Sequence, residues 1–344
     1  MGGGSWDRRE GMSLTIWCNA ALSERAESLL VEGLAGHRVI FAKERLASVL
    51  VPGKSDEGFE QADVVFGQPV AADCLRRKDI KWVAVTSAGY GRYDTPEFLE
   101  AFKARGSAFT TSSTVFAEPC AQHVLAMMLA LGRQLLASHE EQLGAKGWKF
   151  FERRSASVLM NGQTVLMLGY GTIARRLTEL LAPFGMKIYA VRRKAHSERG
   201  VFVISEEKVT SVLAEADHVV NLLPDNEASR NYVNARRLAA FKPGARFYNI
   251  GRGTTVDERA LVQALESGRL GAAYLDVFAE EPLPASNALW TAPNCFITPH
   301  TAGGRSDQDV ALVRHFLGNL AAFEAVDGGA TSGKTGEAMK DRVV

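Results

Sequence analysis

The chain has 344 residues, too many for one small domain and comfortable for two of ordinary size. Its 40 Lys and Arg nearly balance 39 Asp and Glu, so a net charge of +1 gives no reason to expect a nucleic-acid or membrane-surface partner. A hydrophobic content of 46% suits a globular chain and excludes wholesale disorder. The longest apolar runs, such as Val124–Leu131, fall short of the roughly 18 residues that read as a membrane span. The N-terminus has no apolar core of the kind a secretory signal needs, and four scattered cysteines form no C-x-x-C pair, which argues against a zinc ribbon. Free thiols in a cytoplasmic protein with no membrane partner are the expectation.

Residues 1–12, rich in Gly and charge, read as a flexible extension. Regular structure is predicted to begin with a strand at Leu14–Cys18, a helix at Leu22–Leu34 and a strand at Arg38–Ala42. Strands at Asp63–Gly67 and Trp82–Thr86 then flank a helix at Ala71–Lys78. Such alternation indicates a parallel sheet with helices on its faces. From Ala117 to Gly144 the pattern predicts one long apolar helix, capped by Ser113 or Thr114, with Pro119 in its first turn. A helix apolar around much of its circumference needs cover on several sides, as a buried domain-joining helix or, in addition, a subunit contact would have.

A second alternating series starts at Thr164. Its strands are predicted at Thr164–Leu168, Lys187–Val191, His218–Leu222, Ala245–Ile250, Gly271–Leu275 and Cys295–Thr298. Its helices are predicted at Ile173–Leu181, Ser205–Ala214, Asn234–Phe241, Glu258–Ser267 and Asp307–Val326, the last long enough to return to the first domain. The tail Gly328–Glu337 reads as mobile.

Within this series an apolar strand runs into Gly169-Tyr170-Gly171-Thr172-Ile173-Ala174 and then a helix. Gly169 permits a tight turn, Gly171 lets a pyrophosphate approach the backbone, and Ala174 permits close helix–strand packing. The next strand ends in Arg192-Arg193, 23 positions after Gly169, where a site for NAD would place an acidic residue for the ribose 2′-hydroxyl. A guanidinium cannot accept that bond but can pair with a 2′-phosphate, so NADP is favoured over NAD.

Three further segments each follow a predicted strand: Asn249-Ile250-Gly251-Arg252-Gly253, Asp276 through Glu281-Pro282, and Thr298-Pro299-His300. Arg offers a planar fork for a carboxylate, His moves a proton near neutral pH, and a carboxylate can orient and charge that His. Singly, Arg252 reads as a surface loop residue, Glu281 as a turn residue and His300 as a core histidine. Together, after a dinucleotide fingerprint, they read as a catalytic set.

From about Val83 to Glu324 the sequence resembles the D-2-hydroxyacid dehydrogenases, with the glycine fingerprint and the Arg, Glu and His motifs in the family's order. The resemblance implies that Arg252 binds the substrate carboxylate and carbonyl, that His300 is the acid/base and that Glu281 is its partner. It implies cofactor contacts at Gly169, Tyr170, Gly171, Thr172, Ile173, Arg192, Arg193, Leu223, Pro224, Ile250, Gly251 and Asp276, the last near the nicotinamide carboxamide. Ser87, Ala88 and Gly89, following Thr86, look like the family's substrate loop, whose backbone N–H groups face the substrate. Two departures stand out: Gly91-Arg92 where the family loop continues with Asp, and Arg192 in place of an acid, shared with the NADPH-preferring glyoxylate/hydroxypyruvate reductase branch. Glu281 in place of Gln separates the chain from the related formate dehydrogenases.

The expected architecture is α/β: two doubly wound, parallel-sheet Rossmann-like domains, discontinuous in sequence, with a cleft between them. Residues 13–111 plus 303–344 would form the substrate domain and 112–302 the dinucleotide-binding domain. The expected activity is NAD(P)-dependent reduction of a small 2-keto acid to the D-2-hydroxy acid, without a metal, by a homodimer paired through its cofactor domains, with Trp148 reaching the partner's active-site mouth. The alternative is a nucleotide-sensing dimeric scaffold like the family's transcriptional corepressors; the intact Arg–Glu–His set favours the enzyme.

Overall fold

A computed structural model describes residues 13–46, 53–192, 200–327 and 338–344. The extension 1–12, the tail 328–337 and Arg193 therefore lie outside the described residues. The chain forms two compact units, one within Met1–Val115 and Arg305–Val344, the other within Phe116–Gly304.

In the first unit β1 (Thr15–Ala20), α1 (Glu24–Gly33), β2 (Arg38–Leu46), β3 (Val64–Gly67), α2 (Ala71–Arg76), β4 (Trp82–Val85), α3 (Pro96–Ala104) and β5 (Ala108–Thr110) alternate. The strands pair in parallel in the order β2-β1-β3-β4-β5. Val64, Val65, Trp82 and Val83 are buried, as strands covered by helices on both faces require. Ser23 caps α1 by accepting from the Ala26 N–H, and two glutamates sit in that helix's first turn, where they favour the positive end of the dipole. α3 and β5 were not anticipated. Thr95 caps α3 with Pro96 at its first position, a signal present in the sequence, whereas three residues of β5 are too few to show a period.

The predicted single helix over 117–144 is two. α4 (Ser113–Gly132) and α5 (Leu135–Leu143) are separated where Gln134 adopts φ 59°. α4 also starts four residues earlier than expected, so Pro119 lies inside it rather than in its first turn. Its N-terminus is capped from far away. The Asp341 carboxylate accepts from the Thr114 N–H at 2.7 Å and from its hydroxyl at 2.8 Å. α4 is long and apolar enough to cross a membrane by length and composition, but half of the qualifying window is buried in the protein. α6 (Phe150–Ala156) follows, also unforeseen.

The second unit contains β6 (Thr164–Leu168), α7 (Thr172–Leu181), β7 (Lys187–Val191), β8 (Val201–Ile204), α8 (Val209–Leu213), β9 (His218–Asn221), α9 (Ala235–Ala240), β10 (Ala245–Asn249), α10 (Glu258–Glu266), β11 (Leu270–Leu275) and β12 (Cys295–Ile297). The sheet is parallel, ordered β12-β11-β10-β9-β6-β7-β8. β8 is an added edge strand, and the helix predicted at Ser205–Ala214 is a 3₁₀ turn followed by the shorter α8. The strand order reverses between β6 and β9 here, and between β1 and β3 in the first sheet. Open α/β sheets place ligands outside the carboxyl ends of the strands at such points.

The last helix, α11 (Gln308–Asp327), belongs to the first unit. Phe316 stacks on Trp82 and Phe66, and Phe323 on Trp82. Asn319, buried on α11, bonds the backbone of Lys340 on both sides, and the following residues run along β5, where the Val343 N–H donates to the Phe109 carbonyl and the Phe109 N–H to the Val344 carbonyl.

Candidate active site

The turn after β6 is built as a phosphate loop. Gly169 has φ +94°, and a Cβ there would lie 3.2 Å from the Leu222 carbonyl oxygen, so the turn requires glycine. Gly171 is the N-cap of α7 and supplies no side-chain cap, while a Cβ built on it meets nothing within 4 Å. The N-terminus of α7 thus has no side-chain cap, and with the positive end of a ten-residue helix and the uncrowded Gly171 it fits a dinucleotide pyrophosphate. Ala174 is fully buried against the sheet, Tyr170 is buried, and Thr172 and Ile173 are half-buried beside the turn. Arg192, half-buried, directly follows β7.

The loops after β9 and β10 meet: a Cβ on Gly251 would lie 2.7 Å from the Leu223 carbonyl oxygen. Leu223 is half-buried, Pro224 exposed and Ile250 buried, lining the strand ends next to the phosphate loop. Behind them lies a polar support that sequence reasoning missed. The fully buried Asn221 donates to Asn249 Oδ1 at 2.9 Å and to Thr255 Oγ1 at 2.7 Å, while Asn249 accepts from the Gly251 N–H. Thr255 donates to the Arg252 carbonyl at 2.6 Å, and Asn249 Nδ2 does so at 3.3 Å. An Asn closing each of two apolar strands was the available signal. Arg252 itself is half-buried, with Nη1 donating to the Gly251 carbonyl at 2.6 Å. Burial pulls its guanidinium below the ordinary arginine range, while Glu281 and Asp225 oppose that shift.

Gly253 brings the next loop into contact, because a Cβ there would fall 1.8 Å from the Phe278 carbonyl carbon. That loop carries Glu281, joined to Pro282 by a cis peptide. Glu281 Oε1 accepts from the Phe278 N–H at 2.9 Å, and its Oε2 lies 2.7 Å from His300 Nδ1. With Nδ1 engaged, Nε2 is the nitrogen that can meet a reactant. His300 sits at φ +54°, and its N–H bonds the Asp276 carbonyl. Asp276 is buried, and its carboxylate gathers the His300 loop: it accepts from Thr298 Oγ1 at 2.5 Å, the Thr301 N–H at 2.7 Å and the Ala302 N–H at 3.0 Å. Tyr274 in turn bonds Thr298 at 2.6 Å. Arg252, Glu281 and His300 thus stand on neighbouring loops at the carboxyl ends of β10, β11 and β12.

In the first unit, the loop after β4 is held by its carbonyls. Ser112 N–H reaches Ser87 O, Ser113 Oγ reaches Ala88 O, and Ser87 Oγ reaches Gly89 O. Among the described residues, the N–H groups of Ser87, Ala88 and Gly89 have no acceptor, which leaves them for an anion.

Residues 125–302 match the NAD-binding domain of the D-isomer specific 2-hydroxyacid dehydrogenase family. The chain belongs to that family. It is 32% identical over 245 residues to a glyoxylate/hydroxypyruvate reductase B from Yersinia pestis, spanning 70% of this chain and 74% of that relative. An uncharacterised protein in the proB 3′ region of Corynebacterium melassecola is 32% identical over 284 residues, 80% of this chain and 89% of that one. The crystal structure of a D-isomer specific 2-hydroxyacid dehydrogenase from Xanthobacter autotrophicus Py2, in complex with NADPH and MES, superposes with a TM-score of 0.77 at 25% identity, covering 97% of this chain and 98% of that one. The dehydrogenase is accordingly an oxidoreductase of small 2-hydroxy and 2-keto acids that uses a nicotinamide dinucleotide.

Proposed function

We propose that the enzyme reduces a small 2-keto acid of the glyoxylate or hydroxypyruvate type to the D-2-hydroxy acid, with NADPH preferred. The observation that carries this reading is the His300–Glu281 pair, joined across the loops after β11 and β12 beside the Arg252 loop, in the unit that bears the phosphate turn. When bound, the dinucleotide supplies a hydride to the carbonyl carbon. Gly169 through Ile173 hold its pyrophosphate, Leu223, Pro224, Ile250 and Gly251 line its path, and Arg192 with Arg193 meets a 2′-phosphate. Arg252 grips the substrate carboxylate and polarises the carbonyl, and the N–H groups of Ser87, Ala88 and Gly89 are donors of the kind that receive a carboxylate. His300, protonated and oriented by Glu281, gives its Nε2 proton to the carbonyl oxygen as the alcohol forms. Asp276 keeps the His300 loop in place, near where the nicotinamide carboxamide would lie.

The unit that binds the dinucleotide also pairs two chains. Leu135, Leu143, Trp148, Phe151 and Leu159 are all more than half exposed within one 25-residue stretch, an apolar surface that a second copy would cover. The four cysteines, free and for the most part buried, suit a cytoplasmic enzyme. A panel of 2-keto acids assayed with NADPH and with NADH tests the reading, and sedimentation tests the dimer. Turnover of glyoxylate and hydroxypyruvate is expected; no turnover of any keto acid with either cofactor overturns it.

A further inference from the structure

In the first unit, the loop after β4 takes its aim from the segment that opens α4. A trans peptide holds its N–H opposite its carbonyl, so fixing one fixes the other. The Ser87 carbonyl accepts from the Ser112 N–H at 2.9 Å, which sets the direction of the Ala88 N–H. The Ala88 carbonyl accepts from Ser113 Oγ at 3.3 Å, which sets the Gly89 N–H. Ser112 also donates its hydroxyl to the Val85 carbonyl of β4 at 2.9 Å, and Ser113 Oγ lies 2.9 Å from Thr111 Oγ1. The residues on either side of this serine pair are both held by Asp341. Its carbonyl accepts from the Thr111 N–H at 3.0 Å, and its carboxylate accepts from the Thr114 N–H at 2.7 Å and the Thr114 hydroxyl at 2.8 Å. Asp341 does this at φ 56°, a left-handed backbone that aspartate tolerates better than most residues.

We propose that Asp341 is a positioning residue for substrate binding: by holding Thr111 and Thr114 it keeps Ser112 and Ser113 in place, and so aims the Ala88 and Gly89 N–H groups at the substrate carboxylate. The inference rests on reading residues 87–89 as the receiver of that carboxylate. Asp341 is itself braced. His315 on α11 places Nε2 3.1 Å from the Thr111 carbonyl and 3.4 Å from Asp341 Oδ2, and the His315 and Asp341 side chains are each only 8% exposed. Asn319, one turn further along α11, bonds the Lys340 N–H and carbonyl, and Arg342 pairs antiparallel with Thr110. Val343 and Val344 pack on the apolar cluster that contains Phe109. A cap supplied by a neighbouring residue would fix the helix end alone. This one comes from 227 residues downstream and grips both sides of the serine pair, so the start of α4 and the loop after β4 form one braced piece with segment 338–344.

Glycine suits the left-handed backbone at 341 and deletes only the carboxylate, so Asp341→Gly is the test. With the keto acid that the parent enzyme turns over best, KM is expected to rise about 5- to 30-fold while kcat stays within about twofold, because a contact made equally in the ground and transition states acts through KM. KM for NADPH is expected to keep its parental value. Asp341→Asn, which retains one oxygen acceptor, should fall between the two, and Thr114→Ser, which retains the hydroxyl, should match the parent. An unchanged keto-acid KM in Asp341→Gly overturns the proposal. So does a fall in kcat at parental KM, or a KM for NADPH that rises in step, the marks of a smaller folded fraction or of general loosening. Should Asp341→Gly fail to fold, Thr114→Ala removes the hydroxyl bond alone from an exposed residue. It is expected to raise the same KM about 2- to 5-fold, and no rise overturns the proposal. A parent enzyme that turns over no keto acid removes the reading of residues 87–89 together with the proposal; turnover whose KM the variants leave unmoved removes the proposal alone.

Discussion

Asn221 on β9 donates to Asn249 on β10 at 2.9 Å, joining the ends of two adjacent strands beneath the Arg252 loop. Both side chains are buried, so each needs its partner. Asn249→Ala leaves the Gly251 N–H and Asn221 short of an acceptor and loosens Arg252. The expected result is a loss of about 1–3 kcal/mol in unfolding free energy, together with a raised KM for the keto acid. Denaturant melts beside steady-state kinetics check it; a variant that loses stability with unchanged KM would separate the Asn pair from the arginine.

For His300, replacement by Ala removes the proton donor, and kcat should fall by ~10²–10⁴ while NADPH still binds with near-parental affinity. Asp276→Asn keeps the size of the carboxylate but places an N–H₂ where the Thr298 hydroxyl and two backbone N–H groups now donate. Turnover should fall with it, and His300 should lose its fixed pose. Cofactor binding by fluorescence, measured with single-turnover reduction, distinguishes these losses from unfolding.

Arg192 leads to a prediction on cofactor choice. NADPH should give the higher kcat/KM, and Arg192→Asp should narrow or reverse the preference by removing the phosphate's partner and repelling the phosphate. Equal use of both cofactors by the parent enzyme would count against the assignment.

A fourth expectation concerns acid stability. His218, fully buried on β9, has Nε2 2.7 Å from Gln163 Oε1 and Nδ1 3.0 Å from the Tyr248 hydroxyl, an arrangement that satisfies a neutral imidazole. Burial, reinforced by Arg246, pulls its pKa down to about 3. The unfolded chain takes up this proton near pH 6.5, so the folded state keeps its full advantage above that pH. The advantage is lost as pH falls from 6.5 towards 3, with a slope approaching about 1.4 kcal/mol per pH unit. His218→Gln should flatten that part of the profile, read from denaturant midpoints at pH 7 and pH 5.

The alternation of strands and helices was legible because each parallel strand is an uninterrupted apolar run, as Val165–Leu168 shows. The candidate site was legible where its chemistry sits in contiguous residues: Gly169 to Ala174, or Glu281 beside Pro282. It was not legible where partners are distant in sequence. Asn221 and Asn249 are 28 residues apart, Asp276 and Thr298 are 22 apart, and Asp341 caps a helix 227 residues upstream. The break between α4 and α5 falls on Gln134, which carries none of the usual turn signals and reaches φ 59° only in its tertiary setting.

The stacking of Phe316 and Phe323 on Trp82 sets an order on biosynthesis. Trp82 leaves the ribosome 234 residues before Phe316 (316 − 82), a delay on the order of ten to fifty seconds at ordinary elongation rates. Throughout that interval the first sheet has one bare aromatic face, while the whole of Phe116–Gly304 is already available to fold. The nascent chain thus completes its second unit before its first, and Trp82, Phe66 and their neighbours are the surface a chaperone would have to shield.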